Sequence, residues 1–211
     1  MSIAVRHPET DLAAGQAAAT LAALDETLIA QIAAGNRLAM RNLYQRHQLR
    51  VYRFVLRIVG DRSLAEDVIS EVFFDVWKKA GRFEGRSSVS TWLLGIARHK
   101  ALTAVASKPR PAEPIDGVAA MNVADPAADP DAAILSNERG ALLRRCLGEL
   151  SAEHREIIDL VYYQEKSIKE IADLLAIPDS TVKTRMFYAR KRLAVLIEAA
   201  GADRSEAPSL H

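Results

Sequence analysis

Apolar residues recur along this chain at helical spacing and nowhere alternate as they would in a strand, so the pattern predicts helices throughout. Leu43, Val51, Phe54, Val55 and Ile58 share one face of the segment 37–59, which reads as a long amphipathic helix. Before it, Asp25 is placed to cap a short helix running to about Ala34, and Gly35-Asn36 breaks that helix. Residues 1–24 are Ala-rich without a sustained amphipathic pattern and read as a mobile or weakly helical extension. Ser63-Leu-Ala-Glu66 has the form of a capping box, in which hydroxyl and carboxylate satisfy orphan amides reciprocally. It opens a third helix whose apolar stripe is Leu64, Val68, Ile69, Val72, Phe73 and Val76. A loop over Gly81–Ser88 carries Phe83 and Arg86, and a fourth helix runs from about Val89 to Ala106.

The pattern then stops. Between Ser107 and Asp131 stand Pro109, Pro111, Pro114, Pro126 and Pro130 with Glu113, Asp116, Asp125, Asp129 and Asp131, and few large apolar residues. Such a stretch buries too little surface to offset the entropy of ordering it, so it reads as a flexible linker. Fully extended it would reach at most roughly 80 Å. Helical spacing resumes over Ile134–Leu150, Ser151 opens a further helix ending near Gln164, and two more helices complete the pattern. The expected fold is all-α: an extension over 1–24, a helical domain over 25–106, the linker over 107–133, a second helical domain over 134–199 and a tail over 200–211.

Composition narrows the classes. With 49% hydrophobic and 26% charged residues in 211, the chain is of ordinary globular type. A net charge of +1 argues against indiscriminate coating of nucleic acid, yet permits positive charge concentrated on one face. The longest uncharged run, Leu12–Leu24, is too short to span a membrane and lacks the basic lead-in of a signal peptide, so no membrane insertion and a cytoplasmic location are expected. The lone Cys146 excludes an internal disulfide, and among Leu142, Leu143, Leu147 and Leu150 it reads as a small buried hydrophobe. His7, His47, His99, His154 and His211 are scattered, without metal spacing or a nucleophile–base pairing. No catalytic residue, metal or cofactor is therefore assigned, and the chain is not expected to be an enzyme.

Charge is concentrated in two places. Ile168–Leu175 reads as a short helix with Ile171, Leu174 and Leu175 inward and a small Ala172 that permits close approach of a second helix. Pro178 ends the connection, and Asp179 or Ser180 caps the next helix, which carries five basic residues and no acid between Thr181 and Leu193. Two helices joined by a tight turn, the second basic, form a helix-turn-helix. Val182, Met186 and Leu193 pack inward, leaving Lys183, Thr184, Phe187, Tyr188, Arg190 and Lys191 outward. Lys and Arg there would release counterions from DNA, and Thr184 with the first-turn residues would reach base edges. A merely solvated basic face is the plainer alternative; the short helix and turn in front of it favour DNA. In the first domain no acid lies between Glu26 and Asp61, a span holding Arg37, Arg41, Arg46, Arg50, Arg53 and Arg57. The next helix inverts this with Glu66, Asp67, Glu71 and Asp75, of which the last three form one stripe at helical spacing. Residues alone leave open whether the stripe belongs to an interhelical salt-bridge lattice or docks on a basic partner.

Four stretches, "DETLIAQIAAGNRLAMRNLYQRH", "AEDVISEVFFDVWKKAGRFEG", "STWLLGIARHKAL" and "IKEIADLLAIPDSTVKTRMFYARKRL", resemble extracytoplasmic-function (ECF) sigma factors, the two-domain alternative sigma subunits of bacterial RNA polymerase. Their order, their spacing and the acidic linker between them carry the resemblance, which spans roughly Asp25 to Leu196. It implies a sigma2-like bundle over 25–106 and a sigma4-like helix-turn-helix domain over 134–199, together forming a specificity subunit rather than an enzyme. It further implies that Asp67, Ser70, Glu71, Phe74 and Asp75 bind core polymerase at the β′ clamp helices, with Ser70 standing where the family usually has Gln. Phe83, Arg86, Ser87, Ser88, Trp92, Arg98, His99 and Lys100 would meet the downstream promoter element, with His99 in place of a common Asn and "TAVASK" in place of an Arg-rich run. Ser180, Thr181, Lys183, Thr184, Arg185, Phe187, Tyr188 and Arg190 would meet the upstream element, although helical geometry puts Arg185 toward the flank. Ala176 stands where such a motif often has Gly, a departure that a slightly shifted turn would absorb. The implied partners are core RNA polymerase (β′ clamp helices and β flap), promoter DNA and an anti-sigma factor that holds the protein inactive until a stress or envelope signal. The competing reading is an autonomous homodimeric helix-turn-helix regulator with the acidic stripe at its dimer interface.

Overall fold

Asn36 shows how the first unit is punctuated. Its Oδ1 accepts from the amides of Leu38 (2.9 Å) and Ala39 (3.1 Å), satisfying donors that a helix start leaves orphaned. In this computed structural model the chain is described over residues 8–107 and 140–205, with side chains described over 20–107 and 140–200, and every regular element among them is helical. Two compact units divide after Ser107. The linker beyond Ser107 and the first residues of the helix expected from Ile134 lie outside the described residues.

The first unit comprises α1 (Pro8–Ala33), α2 (Arg37–Val59), α3 (Arg62–Lys79), a single 3-10 turn (Ala80–Arg82) and α4 (Val89–Ser107). Helices α2, α3 and α4 pack against one another, and α1 lies along α2. Leu43, Val51, Phe54 and Val55 of α2 meet a core made with Val68, Val72 and Val76 of α3 and Leu93 and Leu94 of α4. Ala65, Ala97 and Ala101 are fully buried, so small residues stand where neighbouring helices come close.

Two expected helix starts in this unit are corrected. The α1 helix does not begin at Asp25; it extends back to Pro8, consistent with the high helix propensity of its Ala-rich run. Asp25 lies inside it, buried, where Oδ2 meets His47 Nε2 at 2.8 Å. Its Oδ1 forms an ion pair with Arg46 Nε at 3.0 Å, without the alignment of a hydrogen bond. Helix α3 is capped by Asp61, whose Oδ1 accepts from the Leu64 amide at 2.9 Å, rather than by Ser63. Gly60, at φ 69°, turns the chain so sharply that Asp61 already stands in the extended capping conformation. Ser63 therefore falls within the first turn.

The second unit holds α5 (helical over 140–148), α6 (Ala152–Ile158), a π-helical turn that prolongs α6 over Asp159–Tyr163, α7 (Ile168–Leu175) and α8 (Asp179–Ser205). The last helix thus runs past the boundary expected at 199. Cys146 and Leu150 pack with Ile158, Ala189 and Leu196, so the cysteine is the buried hydrophobe its neighbours suggested. Arg155 closes the C-terminal end of α5: Nε donates to the Leu147 carbonyl (3.0 Å), and one terminal nitrogen donates to Leu150 (3.0 Å) and to Gly148. Burial lowers the pKa of this guanidinium, and it nonetheless stays charged at any physiological pH.

Helix α7 opens with a capping box, Ser167 and Glu170 each bonding the other's backbone amide. It ends at Ala176, which adopts the left-handed conformation (φ 54°, ψ 45°). The turn is therefore not shifted to suit alanine; alanine is forced into a geometry that suits glycine. Pro178 then supplies the carbonyl that accepts from Thr181 (2.9 Å) and Val182 (3.1 Å), so Asp179 is the first helical residue of α8 and not its cap.

The left-handed state costs an L-residue roughly 1–2 kcal/mol, partly offset by glycine's freer unfolded chain. Ala176→Gly should accordingly stabilise the second unit by about 0.5–1 kcal/mol. Both tryptophans, Trp77 and Trp92, lie in the first unit, so tryptophan fluorescence reports that unit alone while far-UV circular dichroism reports both. The change should raise a dichroism transition that fluorescence does not follow; an unmoved transition would show that the turn carries no strain. Asp25→Ala should do the reverse, lowering the fluorescence transition by about 2 kcal/mol through loss of the hydrogen bond between His47 and a buried carboxylate.

Candidate nucleic-acid interface and acidic stripe

The outward face of α8 is set by what the helix buries. Val182, Ala189 and Leu196 are buried against the body of the second unit, where α8 packs on α6 and α7. Lys183, Thr184, Phe187, Tyr188, Arg190, Lys191 and Arg192 are consequently exposed, as is Ser180, while Thr181 is half-buried. Phe187 and Tyr188 expose 61% and 53% of their surface and meet edge to face with centroids 5.4 Å apart. Thr184 Oγ1 donates to the Ser180 carbonyl at 2.9 Å, which leaves its lone pairs as acceptors.

Two contacts on this helix were not visible in the sequence. Arg185 pairs with Glu153 of α6 at 3.2 Å and is only about a quarter exposed, so a carboxylate of its own unit already holds it. Arg190 instead lies over the ring of Tyr162, 5.5 Å from the centroid. Glu153 and Tyr162 belong to a different helix, and only the tertiary fold brings them to α8.

On α3, Glu66, Asp67, Ser70, Glu71 and Phe74 are exposed. Phe74 is 57% exposed, with Lys78 Nζ 4.0 Å above its ring. Ser70 Oγ donates to the Glu66 carbonyl at 2.9 Å. Asp75 is turned inward and meets Lys79 Nζ at 2.8 Å and Lys100 Nζ at 3.4 Å. Lys100, from α4, also meets Glu71 at 3.1 Å. Asp75 is therefore tied inside the unit, as an interhelical lattice would have it, whereas Asp67 and Glu71 stay outward, the latter with 65% of its side chain exposed.

The ionisation of this cluster follows from its contacts. The hydrogen bond from Lys79, opposed by burial and helped by the charge of Lys100, holds Asp75 below the usual carboxylate range. Burial pulls the Lys100 ammonium down, but its hydrogen bond to Glu71 and the charges of Asp75 and Glu71 outweigh that and raise it. Asp75 and Lys100 are both charged at neutral pH. Lys100, expected among the groups that meet DNA, is thus held by two carboxylates expected to meet polymerase.

Of the remaining expected residues, Phe83, Arg86, Ser87, Ser88 and Trp92 lie around the start of α4, and Arg98 and His99 lie further along it. Phe83 and Trp92 lie 5.2 Å apart between centroids, and Trp92 is half-buried, so its ring packs partly within the unit. Ser88 caps α4: its Oγ accepts from the Thr91 amide at 3.3 Å and lies 2.8 Å from Thr91 Oγ1. That hydroxyl thus has a structural task besides the promoter contact expected of it. Ser87 Oγ donates toward the Ser88 carbonyl at 3.5 Å, and Arg86 is strongly exposed and paired with Glu84. Trp92 and His99 are seven residues apart and so share one side of α4, about 10 Å along its axis. His99 is exposed, and Arg98 and Lys100 are half-buried.

Known proteins divide the chain in the same way. The family described as Sigma-70 region 2 matches residues 43–110, and that described as Sigma-70, region 4 matches residues 140–193. The chain is 32% identical over 175 residues to the ECF RNA polymerase sigma factor SigK of Mycobacterium ulcerans (strain Agy99), covering 82% of this chain and 92% of the relative. It is 31% identical over 171 residues to SigK of Mycobacterium tuberculosis (strain CDC 1551 / Oshkosh), covering 80% and 90%. Among solved structures, CnrH in complex with the cytosolic domain of CnrY is similar in fold, with a TM-score of 0.61, 24% identity and coverage of 83% of this chain and 98% of that one. The sigma factor RpoE of Bartonella quintana, solved with the anti-sigma factor NepR, has a TM-score of 0.57 at 22% identity and covers 75% and 98%. With both sigma-70 regions matched in order and full-length relatives above 30% identity, the chain belongs to the ECF RNA polymerase sigma factors.

Proposed function

We propose that this protein works by dividing its labour between its units: the first grips core RNA polymerase and engages the downstream promoter element, and the second reads the upstream element. The observation that carries this reading is the segregation of charge. The outward side of α8 presents Lys183, Arg190, Lys191 and Arg192, while the outward side of α3 presents Asp67 and Glu71. Phosphate favours the first surface and repels the second. A basic partner such as the polymerase β′ clamp helices favours the second, with Phe74 as an apolar contact beside it.

On α8, Lys183 and Thr184 lie in the first two turns, where a recognition helix reaches base edges. Ser180, Thr181, Phe187 and Tyr188 complete that surface, and the pairing of Arg185 with Glu153 makes it a weaker contributor. At the other interface, Phe83, Arg86, Ser87 and Trp92 form an aromatic and polar rim at which an unstacked base could be received, with His99 further along α4. Neither unit needs high affinity alone, because a tether raises the effective concentration of the second contact once the first is made. The protein has no catalytic chemistry of its own in this scheme and acts in the cytoplasm. No helix among the described residues is long and apolar enough to cross a membrane. An anti-sigma factor covering these surfaces is part of the proposal, supported by the neighbour solved with such a partner.

Run-off transcription with core polymerase on a library of genomic fragments tests the reading directly: start sites should appear that require this protein, and their complete absence would overturn it. At residue level, Lys183→Ala should weaken binding of the holoenzyme to upstream-element DNA and lower the slope of log affinity against log salt by about 1. Glu71→Ala should leave that slope alone and weaken association with core polymerase several-fold, measured by competition with the wild-type chain. Equal effects of both changes on DNA alone would dissolve the division of labour.

A further inference from the structure

The basic residues of α8 are not equivalent, and the difference lies in what touches them from α6. Glu153 meets Arg185 with a carboxylate, which cancels the charge it holds. Tyr162 meets Arg190 with an aromatic face, which attracts a guanidinium without cancelling its charge. The ring reaches α8 because α6 ends in a π-helical turn: the Gln164 amide bonds the Asp159 carbonyl at 3.0 Å, five residues back. The extra residue in that turn changes the direction in which Tyr162 leaves the helix. Tyr162 is 54% exposed, so its place at the surface is not explained by core packing.

Arg190 lies eleven residues into α8, about 16 Å from its start. Base edges are reached from the first turns of a recognition helix, so a cation this far along is placed for the phosphate backbone. A free arginine must give up many rotamers to make such a contact, and one already lying on a ring gives up fewer. We propose that Tyr162 is a positioning residue for Arg190: its ring holds the guanidinium at the edge of the DNA-facing surface, charge intact, ready for a duplex phosphate. This rests on the reading of α8 as the DNA face.

The test titrates the full chain, at low salt, against a fluorescent mixed-sequence duplex, a fair probe because a phosphate contact does not depend on base sequence. Tyr162→Leu keeps the apolar bulk and removes the ring; it should weaken binding about two- to five-fold, the range of an exposed cation–π contact. Tyr162→Phe keeps the ring and should bind like the wild type. In an Arg190→Ala background Tyr162→Leu should cost nothing more. The inference is overturned if Tyr162→Leu binds normally, if Tyr162→Phe loses as much as Tyr162→Leu, or if the loss persists undiminished without Arg190. Should Arg190→Ala bind normally while Lys183→Ala weakens binding, the inference falls and the DNA face stands; should both bind normally, the DNA face falls with it. A circular-dichroism melt of each variant guards against loss of fold, and a Leu variant that melts early while Phe does not would also count against a purely positioning role.

Discussion

The rotation of α8 about its own axis decides what the second unit can show to a partner. Val182, Ala189 and Leu196 are seven residues apart, and an α-helix drifts only about 20° per seven residues, so they form a nearly straight buried seam. With this seam held against α6 and α7, every other position on the helix has its direction fixed. Ala189 is fully buried and has almost no side chain, so α8 lies close to its neighbours at mid-length and a small rotation would create overlap. The rigidity of a basic surface, on this view, comes from three apolar residues that never touch a ligand.

The first unit sorts charge by a different route. Its acidic stripe lies beside α4, and a single ammonium, Lys100, meets the two carboxylates nearest to it. Asp75, four-fifths buried and also held by Lys79, is committed to the interior of the unit. Glu71 is mostly exposed, and ion pairs of that kind contribute at most about 1 kcal/mol in water. It can therefore exchange Lys100 for a cation on another surface at small cost, while Asp75 stays paired with Lys79 and Lys100. The structural role of Asp75 and the interfacial role proposed for Glu71 thus sit one helical turn apart on the same stripe.

Periodicity made the helices legible, because burial on one side of a helix writes a 3.6-residue rhythm into the chain. The span 37–59, the start of α4 at Val89 and the helix Ile168–Leu175 were all readable in this way. Errors arose where two physical situations share one local signature. An aspartate ahead of an apolar run can be a cap, as Asp61 is, or a buried counter-ion, as Asp25 is; the deciding partner, His47, lies 22 residues away. The capping box at Ser63 failed because a glycine turn and an earlier aspartate had already started the helix. Tyr162 escaped notice for a related reason: a π-helical turn departs from the rhythm that sequence reading assumes, so its direction could not be extrapolated from α6.

A count of formal charges along a helix overstates what a polyanion would meet. Five basic residues lie between Thr181 and Leu193, but the charge of Arg185 is already answered by Glu153. In the first unit Lys100 is answered twice over, so its place on α4 does not by itself make it a DNA contact. Where the internal partner is a carboxylate, binding DNA requires an ion pair to be broken first, and the gain shrinks by that cost. Where the partner is an aromatic ring, nothing has to be broken. The effective positive surface of this protein is therefore smaller than its sequence implies and better ordered, and its strength resides in the cations that the fold leaves charged.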